Sequence, residues 1–303
     1  MSEHSQKIKE LQLLASSQPE KKFAVFQAVW NLLSSDTPLS DIIQVLVECL
    51  KNQNHPMLRL AAVIALGDIV KFSPDQTQQV VDAGAVPVLI QLLHSPAGSV
   101  RDEILLAALL NVAKIAGMSE ANIQVVLSHG ALSYLPALLS HPKEAIREAV
   151  VWVIASIAIG NQSQIQAVFN AGLLPKVFKQ LREGELETQM PAVWVISDVA
   201  LYGSHQQVFA MISEGVIPPF CALLACQDTT LIDSVLYGLN HILEMAGEHS
   251  KTVAIFIEGC EGLAKIKSLQ SHGNEKISRL ARKIIHEYFP DHIHTSRNQQ
   301  QPQ

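Results

Sequence analysis

The sequence predicts an all-α protein built from tandem helical repeats, because two series of glycines recur along it with one common period. The intervals are 46, 42, 43 and 44 residues in the first series and 43, 43 and 44 in the second. A period of about 40–47 residues is typical of solenoid units made of two or three helices, which together present a long binding surface. The first series is Gly84, Gly130, Gly172, Gly215 and Gly259, and the second is Gly117, Gly160, Gly203 and Gly247.

One complete repeat unit of the armadillo or HEAT kind can be read between residues 76 and 117. A short helix ends at Gly84, since glycine readily takes the left-handed conformation that closes a helix. A second helix follows with Pro87 near its start, where the missing N–H costs least. A long third helix ends at Gly117 and is apolar on several sides, which predicts that it is sandwiched between neighbouring helices.

The same three-helix pattern returns over residues 121–160, 162–203 and 205–247. Less regular units flank it over residues 40–73 and 250–289, and a lone helix is predicted over 21–35. We therefore expect about six to seven units in one array over residues 22–290. Residues 1–21 are predicted to form an N-terminal tail, and residues 291–303 a disordered tail.

Composition and motifs argue against several functions. The net charge of −6 and the pI near 6.0 disfavour nucleic-acid binding, which needs a basic face. No apolar run approaches the roughly 20 residues that span a bilayer, so no membrane contact is expected. The sequence contains no G-x-S-x-G elbow, phosphate-binding glycine loop or HExxH motif. It therefore predicts a protein that is not an enzyme and that uses no cofactor.

Scattered cysteines and histidines predict no metal site. The four cysteines form no CxxC pair, and low cysteine use is typical of a reducing compartment. A zinc site built from Cys221, Cys226 and a histidine stays an open alternative, although the spacing is poor. The three histidines near the end of the chain are expected to be free of metal: His286, His292 and His294.

Three stretches resemble the armadillo repeats of the importin-alpha family of nuclear-import adaptors: QTQQVVDAGAVPVLIQLLHSP, HPKEAIREAVVWVIASIAIGNQSQIQAV and GLAKIKSLQSHGNEKI. The resemblance covers about residues 22–290. It implies a right-handed superhelical solenoid whose third helices line a concave groove for the nuclear localisation signals of cargo proteins. It also implies residence in cytoplasm and nucleus, and it allows a nuclear export receptor as a partner of the C-terminal repeat.

The resemblance further implies a ladder of paired positions, because each third helix in the family carries a Trp and, four residues later, an Asn. Residues four apart share one helical face, and an indole covers the aliphatic stem of a cationic side chain. This chain keeps two of the tryptophans and replaces every ladder asparagine. The positions fall on the pairs Ile64 and Asp68, Leu110 and Lys114, Trp152 and Ser156, Trp194 and Asp198, and Tyr237 and His241.

We expect a peptide-binding groove at seven of these positions: Asp68, Trp152, Ser156, Trp194, Asp198, Tyr237 and His241. Lys114 is expected to repel a basic peptide. Two alternatives stay open. Trp152 and Trp194 could instead be ordinary packing residues between repeats. The chain could also be a divergent scaffold or decoy that has lost the binding of nuclear localisation signals.

Binding to importin-beta is not expected through the N-terminal residues. In the importin-alpha family an Arg-rich N-terminal segment makes that contact. The first arginine of this chain is Arg59, and residues 1–22 contain only four basic residues: Lys7, Lys9, Lys21 and Lys22.

Overall fold

The computed structural model describes residues 3–17, 22–71, 73–94 and 99–290, and within these ranges every regular element is a helix. The chain divides into two compact units, Met1–Gly160 and Asn161–Gln303. The predicted all-α class and the predicted armadillo repeats are confirmed. The predicted tail over 291–303 lies outside the described residues.

The first unit contains α1 and three sets of three helices. Their bounds are α1 Glu3–Ser17, α2 Lys22–Leu33, α3 Leu39–Lys51, α4 Pro56–Ile69, α5 Pro74–Asp82, α6 Ala85–Leu92, α7 Ser99–Ala116, α8 Glu120–Ser128, α9 Leu135–Leu138 and α10 Glu144–Ala158. The third helices of these sets are α4, α7 and α10, and α7 packs against both of the others.

The second unit repeats the same arrangement in three further sets. Their bounds are α11 Gln162–Asn170, α12 Leu174–Glu183, α13 Leu186–Tyr202, α14 His205–Ser213, α15 Ile217–Ala222, α16 Thr229–Ala246, α17 Ser250–Gly259, α18 Gly262–Leu269 and α19 Glu275–Tyr288. Here the third helices are α13, α16 and α19, and α16 packs against both of the others. The middle third helices α7 and α16 are therefore buried on more than one side, as the apolar pattern of third helices predicts.

Glycine ends four of the short first helices, as the period predicts. Gly84, Gly130, Gly172 and Gly215 have positive φ angles of 75°, 78°, 63° and 86°. The closing repeat differs, because Gly259 is the last residue of α17 and the positive φ of 63° falls on Glu261. The first glycine series therefore has five members in the sequence, but only the first four adopt a positive φ angle.

The segment predicted as an N-terminal tail contains helix α1. Leu11 and Ala15 are buried, and α1 packs against α2, α3 and α4. Apolar residues four apart lie on one face of a helix, and that face is covered by the first repeat. Residues 3–17 of the predicted tail are therefore helical and packed on the first repeat.

A second difference concerns the second helix of the repeat at residues 121–160, which is expected directly after Gly130. The structure has a 3₁₀ turn at Ala131–Ser133 followed by the short α9. Pro136 cannot donate a backbone hydrogen bond to the preceding turn, and its ring crowds that turn, which favours a break in the helix here. Among the described helices, none is by itself long and apolar enough to cross a bilayer, and only the bent pair His205–Ser213 with Ile217–Ala225 meets those criteria jointly.

Candidate functional site

Several predicted ladder positions hold large side chains that reach the surface of largely buried third helices. In the first unit, Ile64 on α4 and Leu110 on α7 are 40% and 38% exposed, and Trp152 on α10 is half-buried. In the second unit, Trp194 on α13 and Tyr237 on α16 are 37% and 44% exposed. Core packing thus leaves part of each of these side chains exposed to solvent in both units.

The positions four residues later in the first unit differ from one another in chemistry. Asp68 forms an ion pair with Lys71, with 2.7 Å between carboxylate and ammonium. The ammonium of Lys114 donates a hydrogen bond of 3.1 Å to the carbonyl oxygen of Gly67, and burial lowers the pKa of Lys114. Lys114 is thus held against the α4 backbone, where it still adds positive charge beside Asp68.

Trp152 and Ser156 lie on one face of α10, as the spacing predicts. The indole N–H of Trp152 donates a hydrogen bond of 3.3 Å to Glu148, one turn earlier. The Ser156 hydroxyl oxygen would lie 3.5 Å from a Cβ atom placed on Gly117. Ser156 therefore sits close to the end of α7. A Cβ atom at position 117 would meet its hydroxyl only at ordinary van der Waals distance.

Seven residues of the second unit enclose a pocket of about 430 Å³. They come from three third helices, α13, α16 and α19: Trp194, Ser197, Asp198, Asp233, Ser234, Tyr237 and Lys276. Three of the predicted site residues, Trp194, Asp198 and Tyr237, meet in this pocket. Two aromatic side chains and two carboxylates facing one cavity are suited to a cation with an aliphatic stem.

Asp198 gives this pocket an unusual carboxyl group. Burial raises the pKa of Asp198 to about 7. The side chain makes no ion pair with any residue that the structure describes, so nothing there offsets the loss of hydration. A cation entering the pocket would favour the ionised form of this carboxyl group.

Asp233 is the second carboxylate, and Lys276 of α19 already contacts it. The ammonium lies 2.5 Å from Oδ2 of Asp233, and the Lys276 side chain is 66% exposed. The other oxygen, Oδ1, is buried and has no hydrogen-bond partner. The carboxylate therefore has unused capacity to accept a hydrogen bond.

The structure places the predicted residue His241 outside the pocket. Its ring packs edge-on against Tyr237, with 4.3 Å between ring centroids. Its Nδ1 lies 3.1 Å from Glu244, which also contacts Lys283 at 3.0 Å. His241 thus supports the Tyr237 wall of the pocket and is not among the residues that line it.

The structure does not bring Cys221 and Cys226 together with any of the histidines it describes, which the zinc alternative requires. Among the described residues, no group of three or more His, Cys, Asp or Glu side chains is placed to hold a metal ion. Cys221 instead shares a thiol hydrogen bond with Cys260, which lowers the pKa of Cys260 to about 6. The backbone N–H of Gly262 and the charge of Lys265 act in the same direction, while burial opposes them.

We expect Cys260 to be the cysteine that alkylates fastest, because the thiolate is the reactive form. The rate with iodoacetamide should rise with a midpoint near pH 6, and Cys49, whose pKa is raised by burial to about 12, should stay unmodified at pH 8. Mass spectrometry of peptides from the alkylated native protein measures both rates. The Cys260→Ser variant identifies the signal, and a Cys260 midpoint above pH 8 would contradict the expectation.

Comparisons with known proteins agree with this architecture. The armadillo/beta-catenin-like repeat family matches residues 73–109 and 119–159, and the atypical Arm repeat family matches residues 251–303. The chain is an armadillo-repeat protein. Its structure resembles the designed armadillo repeat protein YIII(Dq)4CqI, with 27% sequence identity, a TM-score of 0.70, and coverage of 79% of this chain and 97% of the other.

A second designed relative was solved with a ligand. The armadillo repeat protein YIII(Dq.V1)4CPAF in complex with peptide (KR)4 has 28% sequence identity and a TM-score of 0.72 to this armadillo-repeat protein. The match covers 81% of this chain and 99% of the designed one.

Natural relatives of this armadillo-repeat protein are importin alpha subunits. Importin subunit alpha-1a of Oryza sativa subsp. japonica is 38% identical over 226 residues, which are 72% of this chain and 42% of the relative. Importin subunit alpha-4 of Arabidopsis thaliana is 33% identical over 227 residues, which are 72% and 41%. The chain is thus homologous to importin alpha, and it spans less than half the length of these two relatives.

Sequence reasoning missed four residues of the pocket in this armadillo-repeat protein, Ser197, Asp233, Ser234 and Lys276, of which the two charged ones matter most. Asp233 lies four residues before Tyr237 on α16, a spacing that places both on one face and could have identified it. Lys276 carries no sequence signal of its contact with Asp233, since a charged residue in a terminal repeat is expected on its solvated outer face. Its approach to Asp233 depends on the packing of α19 against α16, which no local pattern specifies.

Proposed function

We propose that this armadillo-repeat protein is a non-enzymatic adaptor that binds extended basic peptide segments at its ladder positions. The observation that carries the proposal is the pocket of the second unit, where Trp194 and Tyr237 stand beside the carboxylates Asp198 and Asp233. An aromatic face attracts a cation, and a carboxylate accepts its hydrogen bonds. The designed relative in complex with peptide (KR)4 supports the same class of ligand.

The homology to importin alpha subunits supports a cellular role for this binding. In this proposal the peptides are nuclear localisation signals of cargo proteins, and the adaptor serves protein import into the nucleus. It would then be present in both cytoplasm and nucleus, with a nuclear export receptor at its C-terminal repeat as a further proposed partner. Residues 1–22 are not proposed to bind importin-beta, because 3–17 include the apolar face of α1 that packs on the first repeat.

The peptide (KR)4 is the natural probe for this proposal. We expect Trp194→Ala to weaken its binding by about twofold to thirtyfold, which corresponds to one cation–aromatic contact of about 0.5–2 kcal/mol. Fluorescence anisotropy of a labelled peptide measures the affinity. Trp30→Ala is the matched control, because Trp30 on α2 is 57% exposed and lies off the ladder, so its loss should leave binding unchanged.

Trp152→Ala tests the first unit separately. Asp68 and Ser156 are proposed to hold the peptide there, but Lys114 adds a positive charge close to Asp68, so a smaller loss than for Trp194→Ala is expected. Equal affinity for (KR)4 in wild type, Trp152→Ala and Trp194→Ala would overturn the proposal at both ladder tryptophans.

A divergent scaffold is the second candidate, and the loss of every ladder asparagine favours it. The ionised carboxylate of Asp198 has no donor, and the single hydroxyl of Ser156 lacks the separate donor and acceptor atoms of an amide. Salt separates the candidates, since exposed charges are screened within about 8–10 Å at physiological ionic strength. Binding to a basic peptide should weaken as salt rises. Absence of any (KR)4 binding, in low salt as well, would favour the scaffold.

A further inference from the structure

We infer that Lys276 is an internal counter-ion of the pocket between α13, α16 and α19, and that a cationic side chain of a bound peptide replaces it at Asp233. This inference rests on the proposed peptide binding and deepens it. It assigns a ligand, an ammonium or guanidinium group, to the Asp233 end of the pocket. It also assigns Lys276 the role of a built-in competitor that sets the affinity.

The first step is that Lys276 occupies the position in the pocket where a peptide cation is proposed to bind. Its ammonium reaches Asp233 from a residue 43 positions along the chain, one repeat away, and it lines the pocket together with Trp194 and Tyr237. A cation is therefore already bound where a peptide cation would sit. The contact between Lys276 and Asp233 thus indicates that the pocket binds an ammonium group.

The second step is that this internal contact is easily exchanged. The Lys276 side chain is 66% exposed, and ion pairs with an exposed partner contribute little to stability. A long lysine side chain can swing away from Asp233 into water without breaking core packing. Asp233 stays in place, because only 22% of its side chain is exposed.

The third step is that the carboxylates can hold more than Lys276 satisfies. Oδ1 of Asp233 is buried without a partner, and Asp198 on the opposite helix has no ion-pair partner among the described residues. The charged groups that face the pocket are Asp198 on α13, Asp233 on α16 and Lys276 on α19. An incoming cation flanked by Trp194 and Tyr237 can engage both carboxylates, which Lys276 from its own side does not.

The test removes the internal cation and leaves the pocket intact. We expect Lys276→Met to bind peptide (KR)4 about two- to fivefold more tightly than wild type, the gain available from one exposed ion pair. Lys283→Met is the matched control, since Lys283 lies on the same helix and pairs with Glu244 outside the pocket. Both variants lose one positive charge, so a general electrostatic effect would change both equally.

Selective amine labelling provides a second readout. On adding (KR)4, acetylation of Lys276 should become faster while that of Lys283 stays constant, as read by mass spectrometry of the protein. If wild type binds (KR)4, loses affinity on Trp194→Ala, and gains none on Lys276→Met, this inference is wrong and the proposed function stands. Binding by Lys276→Met alone would support the inference strongly. Absence of binding in wild type and in Lys276→Met would overturn both.

Discussion

Replacing Gly238 by alanine is expected to destabilise the second unit by about 1–3 kcal/mol, the usual cost of overpacking a core. A Cβ atom on Gly238 would lie 2.5 Å from the Ser197 hydroxyl oxygen and 2.7 Å from Cζ of Phe220. Both distances are shorter than van der Waals contact, so α16 would have to move away from α13, which carries Ser197, and from α15, which carries Phe220. Urea unfolding followed by far-ultraviolet circular dichroism measures the loss.

Gly259→Ala is the control for this change. Gly259 also lies in a helix of the second unit, but a Cβ atom there would meet nothing within 4 Å. Alanine is better than glycine within a helix by up to about 1 kcal/mol, so this variant should be as stable as wild type or slightly more stable. Equal stability of Gly238→Ala and Gly259→Ala would show that α13 and α16 are not in such close contact. Because the two helices also form the pocket, Gly238→Ala should weaken peptide binding as well.

Asp198→Asn is expected to stabilise the protein at pH 8 and to remove part of its pH dependence. Burial raises the pKa of Asp198 from its ordinary 3.8 to about 7 in the folded state. Above pH 4 the unfolded chain therefore binds fewer protons than the folded one, and stability falls as the pH rises through 7. The full shift corresponds to about 4 kcal/mol, and solvent screening of a partly exposed group reduces it to about 1–2 kcal/mol.

Urea unfolding at pH 4.5 and pH 8 measures this effect. The difference in stability between Asp198→Asn and wild type should grow between the two pH values and then level off. Asp36→Asn is the control, because Asp36 is exposed and its replacement should change stability equally at both. A constant difference for Asp198→Asn would mean that the carboxyl group is hydrated in the folded state.

Local patterns predict the helices well, and the reason is periodicity. In the middle repeats the third helices are apolar on several sides, and a large side chain at the surface recurs at the same phase, as Trp194 and Tyr237 do. The αL glycines at the ends of the first helices follow from backbone sterics alone. The packing of helix α1 could not be predicted in this way. Leu11 is buried only because α1 packs against the helices of the first repeat.

Side-chain contacts between repeats, including the one that pairs Lys276 with Asp233 in the pocket, join residues at separations near one period. Lys276 and Asp233 are 43 residues apart, Ser197 bonds to Ser234 at a separation of 37, and Lys114 bonds to Gly67 at 47. The period predicts that such residues become neighbours. It does not predict which side chains pair, because that depends on helix rotation and on the local distance between helices.

The sequence by itself determined the all-α repeat architecture, the place of each third helix and the ladder residues that reach the surface. Only the tertiary structure decided that Trp194, Asp198 and Tyr237 share a pocket with Asp233 and Lys276, while His241 turns toward Glu244. The physical reason is range. Backbone conformation and amphipathicity are set by residues within a few positions, whereas desolvation of Asp198 and ion pairing of Asp233 depend on atoms brought together by packing.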